Sequence, residues 1–228
     1  RELHDKMKEI TSKTYWLNRY FYFHKFDQGI IMDHIAFYSV TPEIIAKHIA
    51  EKCSKVNNNV IIDAFCGAGG NTIQFALKYN HVIAIDNNPY RIEMAKRNAK
   101  IYNVYDKIEF ICADFTQIIS SLSANIIFLA PPWQKYSNKH YKDDYNNIHY
   151  DIKHMIQIDN NINGIDIYNL ASNITANIAY LVPAHTNIQQ MISLNDKKKC
   201  EIELIKHNYQ HIKMMTCYYG DLILQNKK

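Results

Sequence analysis

Asp63, Gly67, Gly69, Gly70, Asp86, Asp114 and the run Ala130-Pro131-Pro132-Trp133 are the residues whose types and spacing could do chemistry. Val60-Ile61-Ile62-Asp63 runs into Ala64-Phe65-Cys66-Gly67-Ala68-Gly69-Gly70-Asn71, which reads as a buried strand, a glycine hairpin and the start of a helix. Glycine lets a backbone turn tightly and approach a ligand with no β-carbon in the way. The free N–H groups of the following helix point at the same place. This is the form of a nucleotide-cofactor cradle. A second apolar run, Val82-Ile83-Ala84-Ile85, ends in Asp86, 19 residues past Gly67. At that distance a βαβ unit sets a carboxylate on the ribose hydroxyls of an adenosine cofactor. Spacing alone leaves NAD and S-adenosylmethionine open. Two details favour the methyl donor: Asp63 stands four residues before the first glycine, and the glycines read G-x-G-G rather than G-x-G-x-x-G. The methyl donor has no pyrophosphate for helix N–H groups, and its ammonium and sulfonium suit nearby carboxylates. A glycine turn in a ligand-free α/β core is the plainer reading of the same residues.

Ala130-Pro131-Pro132-Trp133 leaves a fourth apolar run with two residues that lack N–H donors and keep their carbonyl acceptors. Carbonyls there suit an exocyclic amine, and the turn resembles the Pro-Pro-aromatic turn of amino methyltransferases, in which the amine's lone pair turns toward a methyl sulfonium while an aromatic ring, here Trp133, stacks on the base. Stacking of a flat heterocycle is worth roughly 1–3 kcal/mol, and a cationic one gains roughly 0.5–2 kcal/mol by cation–π attraction. The alternative for Trp133 is a packing role. Transfer from a sulfonium is an in-line displacement with a neutral leaving group, so it asks for alignment and desolvation more than acid–base power. The sequence displays no convincing metal set or nucleophilic triad.

These residues need a scaffold that brings strand ends to one edge. Strands are predicted at 60–64, 81–85, 108–112, 125–130 and 178–182, with helices near 71–78, 89–102 and 115–122 between the first four. The expectation is an α/β fold: a Rossmann-like sheet, mostly parallel, doubly wound, with ligands outside the carboxyl ends of the strands, and a methyl donor there would make it a class I methyltransferase sheet. Stretches 200–206 and 212–220, around a turn at 207–211, are predicted to close it as an antiparallel hairpin. Residues 1–55 are read as an N-terminal helical extension and 56–228 as the catalytic domain. Trp16, Tyr20 and Phe23 at i, i+4 and i+7 predict a helix with one aromatic face. Thr41-Pro42-Glu43 predicts another helix, with Thr41 as cap, Pro42 first, and Ile44, Ile45, His48 and Ile49 on its buried face. The polar, tyrosine-rich region 134–165 is expected to be a long loop at the functional edge.

The 228 residues are 47% hydrophobic and 21% charged, enough for one sizeable core, and no apolar run has the length of a membrane span. The first residues are no signal peptide, and the absent initial Met is read as missing upstream sequence. Five cysteines without a C-x-x-C pair are read as reduced thiols of an intracellular protein. A formal charge of +4 tolerates an anionic partner, and Lys197-Lys198-Lys199 reads as a solvated turn.

With these motifs in place, Phe26-Asp27-Gln28-Gly29-Ile30, Ser39-Val40-Thr41-Pro42-Glu43, the Asp63–Ala76 stretch, Ile108–Phe115 and Pro131-Pro132-Trp133 resemble the trimethylguanosine synthases, and the likeness covers nearly the whole chain. The resemblance implies an enzyme that uses S-adenosylmethionine to methylate guanine N2 of a 7-methylguanosine RNA cap, to the dimethyl and then the trimethyl form. It implies a donor site of Phe23, Thr41, Asp63, Ala64, Cys66, Gly67, Asn71, Asp86, Asn87, Asp114, Phe115 and Ala130, with Asp114 on the adenine amine. It implies catalytic positions at Ala130, Pro131 and Trp133, with Trp133 stacked on the 7-methylguanine cation. Ala130 replaces the family's serine, Ala184-His185 stands where an arginine follows Leu-Pro, and Thr14 replaces a lysine. Lys13, Trp16, Arg19, Lys135 and His185 are then the groups left for the cap and its phosphates. The partner expected is capped RNA of the small nuclear or nucleolar type, with no membrane. The chain is expected to be the monomeric catalytic domain of a longer protein, in the nucleus and also the cytoplasm. Methylation of an amine in internal RNA, DNA or a protein glutamine, and a cap-binding module without turnover, are the alternatives.

Overall fold

The computed structural model describes residues 2–56, 60–133, 150–158, 162–195, 199–204 and 214–223. The chain divides into two compact units, 1–118 and 119–228.

The first unit opens with α1 (Glu2–Ile10), α2 (Lys13–Leu17), α3 (Arg19–Tyr22) and α4 (Ala36–Ser39), followed by α5 (Glu43–Cys53). The predicted single aromatic helix is broken. Asn18 closes α2, its side-chain amide donating to the Thr14 carbonyl at 3.0 Å, so Trp16 and Tyr20 fall on separate short helices and Phe23 lies just past the second. Tyr20 is exposed, while Phe23 is buried. The start of α5 also moves by one residue: Pro42 holds the cap position and Glu43 is the first helical residue. Thr41 does not cap, because its hydroxyl accepts from Asn71 Nδ2 at 2.8 Å. Its buried face is Ile45, Ala46, Ile49, Ala50 and Cys53; Ile44 and His48 are exposed, against expectation.

Then come β1 (Val60–Asp63), α6 (Gly70–Ala76), β2 (His81–Asp86), α7 (Pro89–Ile101), β3 (Ile108–Cys112) and α8 (Phe115–Ile118). All residues of α6 are buried, as a helix laid on a sheet beside further helices must be. The Asn88 side chain accepts from Tyr90 N–H and Pro89 takes the first turn, which fixes where α7 begins. Strands β1, β2 and β3 pair in parallel, with Asp63 opposite Ala84 and Asp86 opposite Cys112. Parallel pairing carries Asp63, Asp86 and the residues after Cys112 to the same edge.

The second unit holds β4 (Ile126–Leu129), α9 (Ile152–Met155), a two-residue pair β5 (Gln157–Ile158) and β6 (Ile162–Asn163), α10 (Gly164–Ser172), β7 (Ile178–Pro183), α11 (Ile188–Ser193), β8 (Glu201–Leu204) and β9 (Met214–Tyr218). β4 runs parallel to β7, and β9 is antiparallel to both β7 and β8. The seven longer strands are thus mostly parallel with an antiparallel hairpin at the closing end, the α/β class expected. The described residues 150–158 and 162–165 are not an open loop: they carry α9, the β5–β6 pair and the start of α10, whose first turn is fixed by reciprocal bonds between Asn163 and Asp166. Residues 134–149 with Lys135, the turn at 207–211, and Lys197 and Lys198 lie outside the described residues. No described helix is long and apolar enough to cross a membrane.

Candidate active site

The first unit brings most of the predicted donor residues to the carboxyl ends of β1–β3. The glycine loop turns through left-handed backbone at Gly67 (φ +52°) and Gly69 (φ +89°). A β-carbon on Gly69 would stand 3.2 Å from Ala95, and one on Gly70 would overlap Val40 at 2.7 Å, so Gly69 lets the loop close on α7 and Gly70 lets the start of α6 close on the Val40–Thr41 stretch. At Gly67 a β-carbon would meet nothing within 4 Å. The loop there faces open space.

Asp86 holds that loop. Its two oxygens accept from Gly67 N–H at 3.0 Å and Asn88 N–H at 2.9 Å, and each retains lone-pair capacity for a further donor. Asp63, 1% exposed, accepts from the Thr72 hydroxyl at 2.5 Å through Oδ2. Burial pushes its carboxyl up to about 7, with Asp86 adding to the rise and the Thr72 hydroxyl and Phe65 N–H opposing it. Asp63 Oδ1 and Asn71 Oδ1 are buried acceptors without a partner among the described residues. Cys66 is buried beside them, and burial followed by the two aspartates raises its thiol, which makes it an inert wall. Ala64 is buried, Asn87 is exposed, and Phe115 is buried with its ring 5.7 Å from that of Phe65. Asp114 spends Oδ1 on the Thr116 N–H and hydroxyl, both at 2.8 Å, leaving Oδ2 with Gln117 at 3.4 Å. Thr41 is buried on Asn71, and Phe23 comes within 3.9 Å of a Gly70 β-carbon position.

Unpartnered buried acceptors beside an open glycine turn fit a ligand that brings its own donors and positive charge. An adenosine-containing methyl donor, with ribose hydroxyls, an ammonium and a sulfonium, has that donor set.

Sequence reasoning did not find three supports of this cradle. Thr72 orients Asp63. Asn98, fully buried on α7, donates to the carbonyls of Ala68 and Ile31, both at 2.9 Å, and accepts from Ile31 N–H at 2.8 Å. Glu43 gathers His24, Gln74 and Tyr102. Thr72 carried a weak signal, a hydroxyl in the first turn after the glycines; the others join residues too far apart in sequence to suggest one another.

The predicted cap residues are partly brought together. Trp16 and Arg19 meet, but in a contact internal to the chain. The Arg19 guanidinium lies 4.2 Å from the Tyr20 ring and 4.8 Å from that of Trp16, donates to the Trp16 carbonyl and the Tyr20 hydroxyl, and approaches Asp27. Lys13 is exposed and outside that box. In the second unit, Ala130 follows β4, Pro131 is buried, Pro132 is exposed and Trp133 is half-buried with Nε1 buried and unpartnered among the described residues. His185 is exposed, its ring edge-on to Tyr150 at 5.9 Å.

A profile of the RNA cap guanine-N2 methyltransferases matches residues 58–222. The chain is 36% identical over 222 residues to a trimethylguanosine synthase of Schizosaccharomyces pombe, covering 91% of this chain and 85% of that protein. This chain belongs to the RNA cap guanine-N2 methyltransferase family. The trimethylguanosine synthase of Saccharomyces cerevisiae is 28% identical, with 91% and 67% covered. Two solved structures share the fold of this cap methyltransferase. One is a putative methyltransferase of Porphyromonas gingivalis (TM-score 0.62, 11% identity, covering 92% of this chain and 48% of that one). The other is the tRNA m1G37 methyltransferase of M. jannaschii (TM-score 0.52, 21% identity, 78% and 49%). The chain is a methyltransferase whose substrate is an RNA cap guanine.

Proposed function

We propose that this cap guanine-N2 methyltransferase uses S-adenosylmethionine and carries a 7-methylguanosine cap to the dimethyl and then the trimethyl form. The observation that carries the donor assignment is the pair of buried, unpartnered acceptors, Asp63 Oδ1 and Asn71 Oδ1, beside the open turn at Gly67. When bound, the donor supplies a methyl group on a sulfonium, activated for displacement with a neutral leaving group.

The protein's own residues then have separable tasks. Asp86, already held by Gly67 and Asn88 N–H groups, accepts from ribose hydroxyls without reorganising. Asp63 and Asn71 accept from the cationic end, and Asp63 is drawn to its carboxylate form by that positive charge. Asp114 Oδ2 is the acceptor for the adenine amine. Phe23 and Phe115 keep water out. Trp133 stacks on the cationic 7-methylguanine, and the carbonyls of Ala130 and Pro131 accept from its exocyclic amine, the serine hydroxyl of the family pattern being absent here. Lys13 and His185 are the groups that the family resemblance leaves for the cap phosphates; Arg19 is engaged within the chain. The RNA partners are capped transcripts of the small nuclear or nucleolar type, the enzyme acts as a monomer, and it works in the nucleus with a cytoplasmic share.

Methyl-labelled donor tests the reading. Label enters 7-methyl-GTP and not GTP; equal transfer to both, or to neither, overturns it.

A further inference from the structure

We propose that Glu43 is a positioning residue that seats the Phe23 segment on the donor cradle through one carboxylate shared by His24, Gln74 and Tyr102. The inference rests on the donor reading of the cradle.

The carboxylate is saturated. Oε2 accepts from the His24 backbone N–H at 2.6 Å and from the Tyr102 hydroxyl at 3.0 Å; Oε1 accepts from Gln74 Nε2 at 3.3 Å and meets His24 Nδ1 at 2.7 Å. An ionised carboxylate only accepts, so Nδ1 carries the hydrogen. Four contacts fill the four lone-pair directions of a side chain that is 17% exposed. As the first residue of α5, Glu43 also has its charge at the favourable end of a helix.

The partners come from the pieces that build the cradle. His24 follows Phe23, Glu43 stands two residues past Thr41, Gln74 three past Asn71, and Tyr102 closes α7, the helix that carries Asn98. Tyr102 receives three consecutive residues of the segment. The Phe23 ring is 6.3 Å from its ring, the His24 ring stands edge-on at 5.4 Å, and Lys25 Nζ lies 5.1 Å over its face. Beyond Asn98, which holds the chain further on at Ile31, these contacts fix where Phe23 sits against Gly70. Without the carboxylate, the His24 N–H, the Gln74 amide and the Tyr102 hydroxyl lose their common acceptor. The segment then loosens at the point where Phe23 covers the glycine turn.

Two measurements on the purified chain test this: calorimetry with S-adenosylhomocysteine, and trypsin cleavage after Lys25 without ligand. Glu43→Ala is expected to weaken S-adenosylhomocysteine binding about tenfold. Cleavage should quicken about fivefold, as a loosened segment opens more often. The donor KM should rise while kcat at saturation stays within about twofold. Glu43→Gln, which keeps one acceptor oxygen, falls between. His24→Ala shows part of the loss, and His24→Asn, whose amide N–H can stand where Nδ1–H stood, recovers it. Unchanged cleavage and affinity in Glu43→Ala, or a lowered melting temperature with donor affinity intact, would overturn the assignment alone. Wild-type protein that takes up no S-adenosylhomocysteine would overturn the donor reading and this assignment with it.

Discussion

Around Gly67 the polar groups are buried and held by the chain itself: Asp86 by two backbone N–H groups, Asp63 by Thr72 through Oδ2, Asn71 by Thr41 through Nδ2, Ala68 by Asn98, with Asp63 Oδ1 and Asn71 Oδ1 left open. At Ala130–Trp133 the chain presents one half-buried ring, an exposed proline and carbonyls. The first region is organised before any ligand arrives, by backbone geometry that many residues enforce together. The second rests on one side chain. The contrast matches what each must do: a donor common to every turnover is met by a fixed cradle, whereas a flat cationic base needs mainly a π-face.

Substitutions can break this contrast at either end. Asp86→Ala should have the largest effect, because it strips two N–H groups of their acceptor and removes the ribose contact. Donor affinity should fall at least about a hundredfold, near 3 kcal/mol, by calorimetry. Affinity for 7-methyl-GTP should move little, and a donor Kd that stays put would remove Asp86 from the site. Trp133→Ala reverses the pattern, costing about 1–3 kcal/mol of 7-methyl-GTP binding with the donor Kd unchanged; intact cap affinity would refute the stacking role. Gly69→Ala places a β-carbon on left-handed backbone against Ala95. The expected loss is about 1–2 kcal/mol of stability in thermal unfolding. Pro132→Ala, on exposed backbone at the other region, should stay within about 0.5 kcal/mol.

A pH experiment sharpens the same comparison. The Asp63 carboxyl rises from 3.8 to about 7 in the folded chain. The folded state therefore keeps a proton that the unfolded state has released across that window, and stability falls as pH climbs from about 4 to about 7. A cationic donor favours the carboxylate, so its binding expels the proton below about pH 7. Affinity should rise about tenfold from pH 6 to pH 8 and then level, with proton release visible as buffer-dependent binding heat. Asp63→Asn should flatten the profile.

The glycine loop, the strand-end carboxylates and the parallel order were legible because their signals are local: an apolar run, a turn, an acid at a fixed spacing. The aromatic stripe Trp16, Tyr20 and Phe23 misled because spacing says nothing of Asn18 bonding back to Thr14 and splitting the helix. Thr41 read as a cap, and only the fold brings Asn71 to its hydroxyl. The Glu43 cluster spans separations of 19, 31 and 59 residues, beyond any periodicity. Arg19 looked available for phosphate until Tyr20 and Asp27 closed on it.

Asn98 ties two stretches of main chain that a reader of the sequence would place in different parts of the protein. Its one carboxamide serves Ala68 and both polar atoms of Ile31, so shortening the protein past Ile31 would leave Asn98 Oδ1 and one Nδ2–H without their partners, at up to about 1–3 kcal/mol for each group that water does not reach. The leading helices are therefore part of the catalytic body's foundations, and a trimmed version beginning at the first strand would start life with a fault beneath its ligand loop.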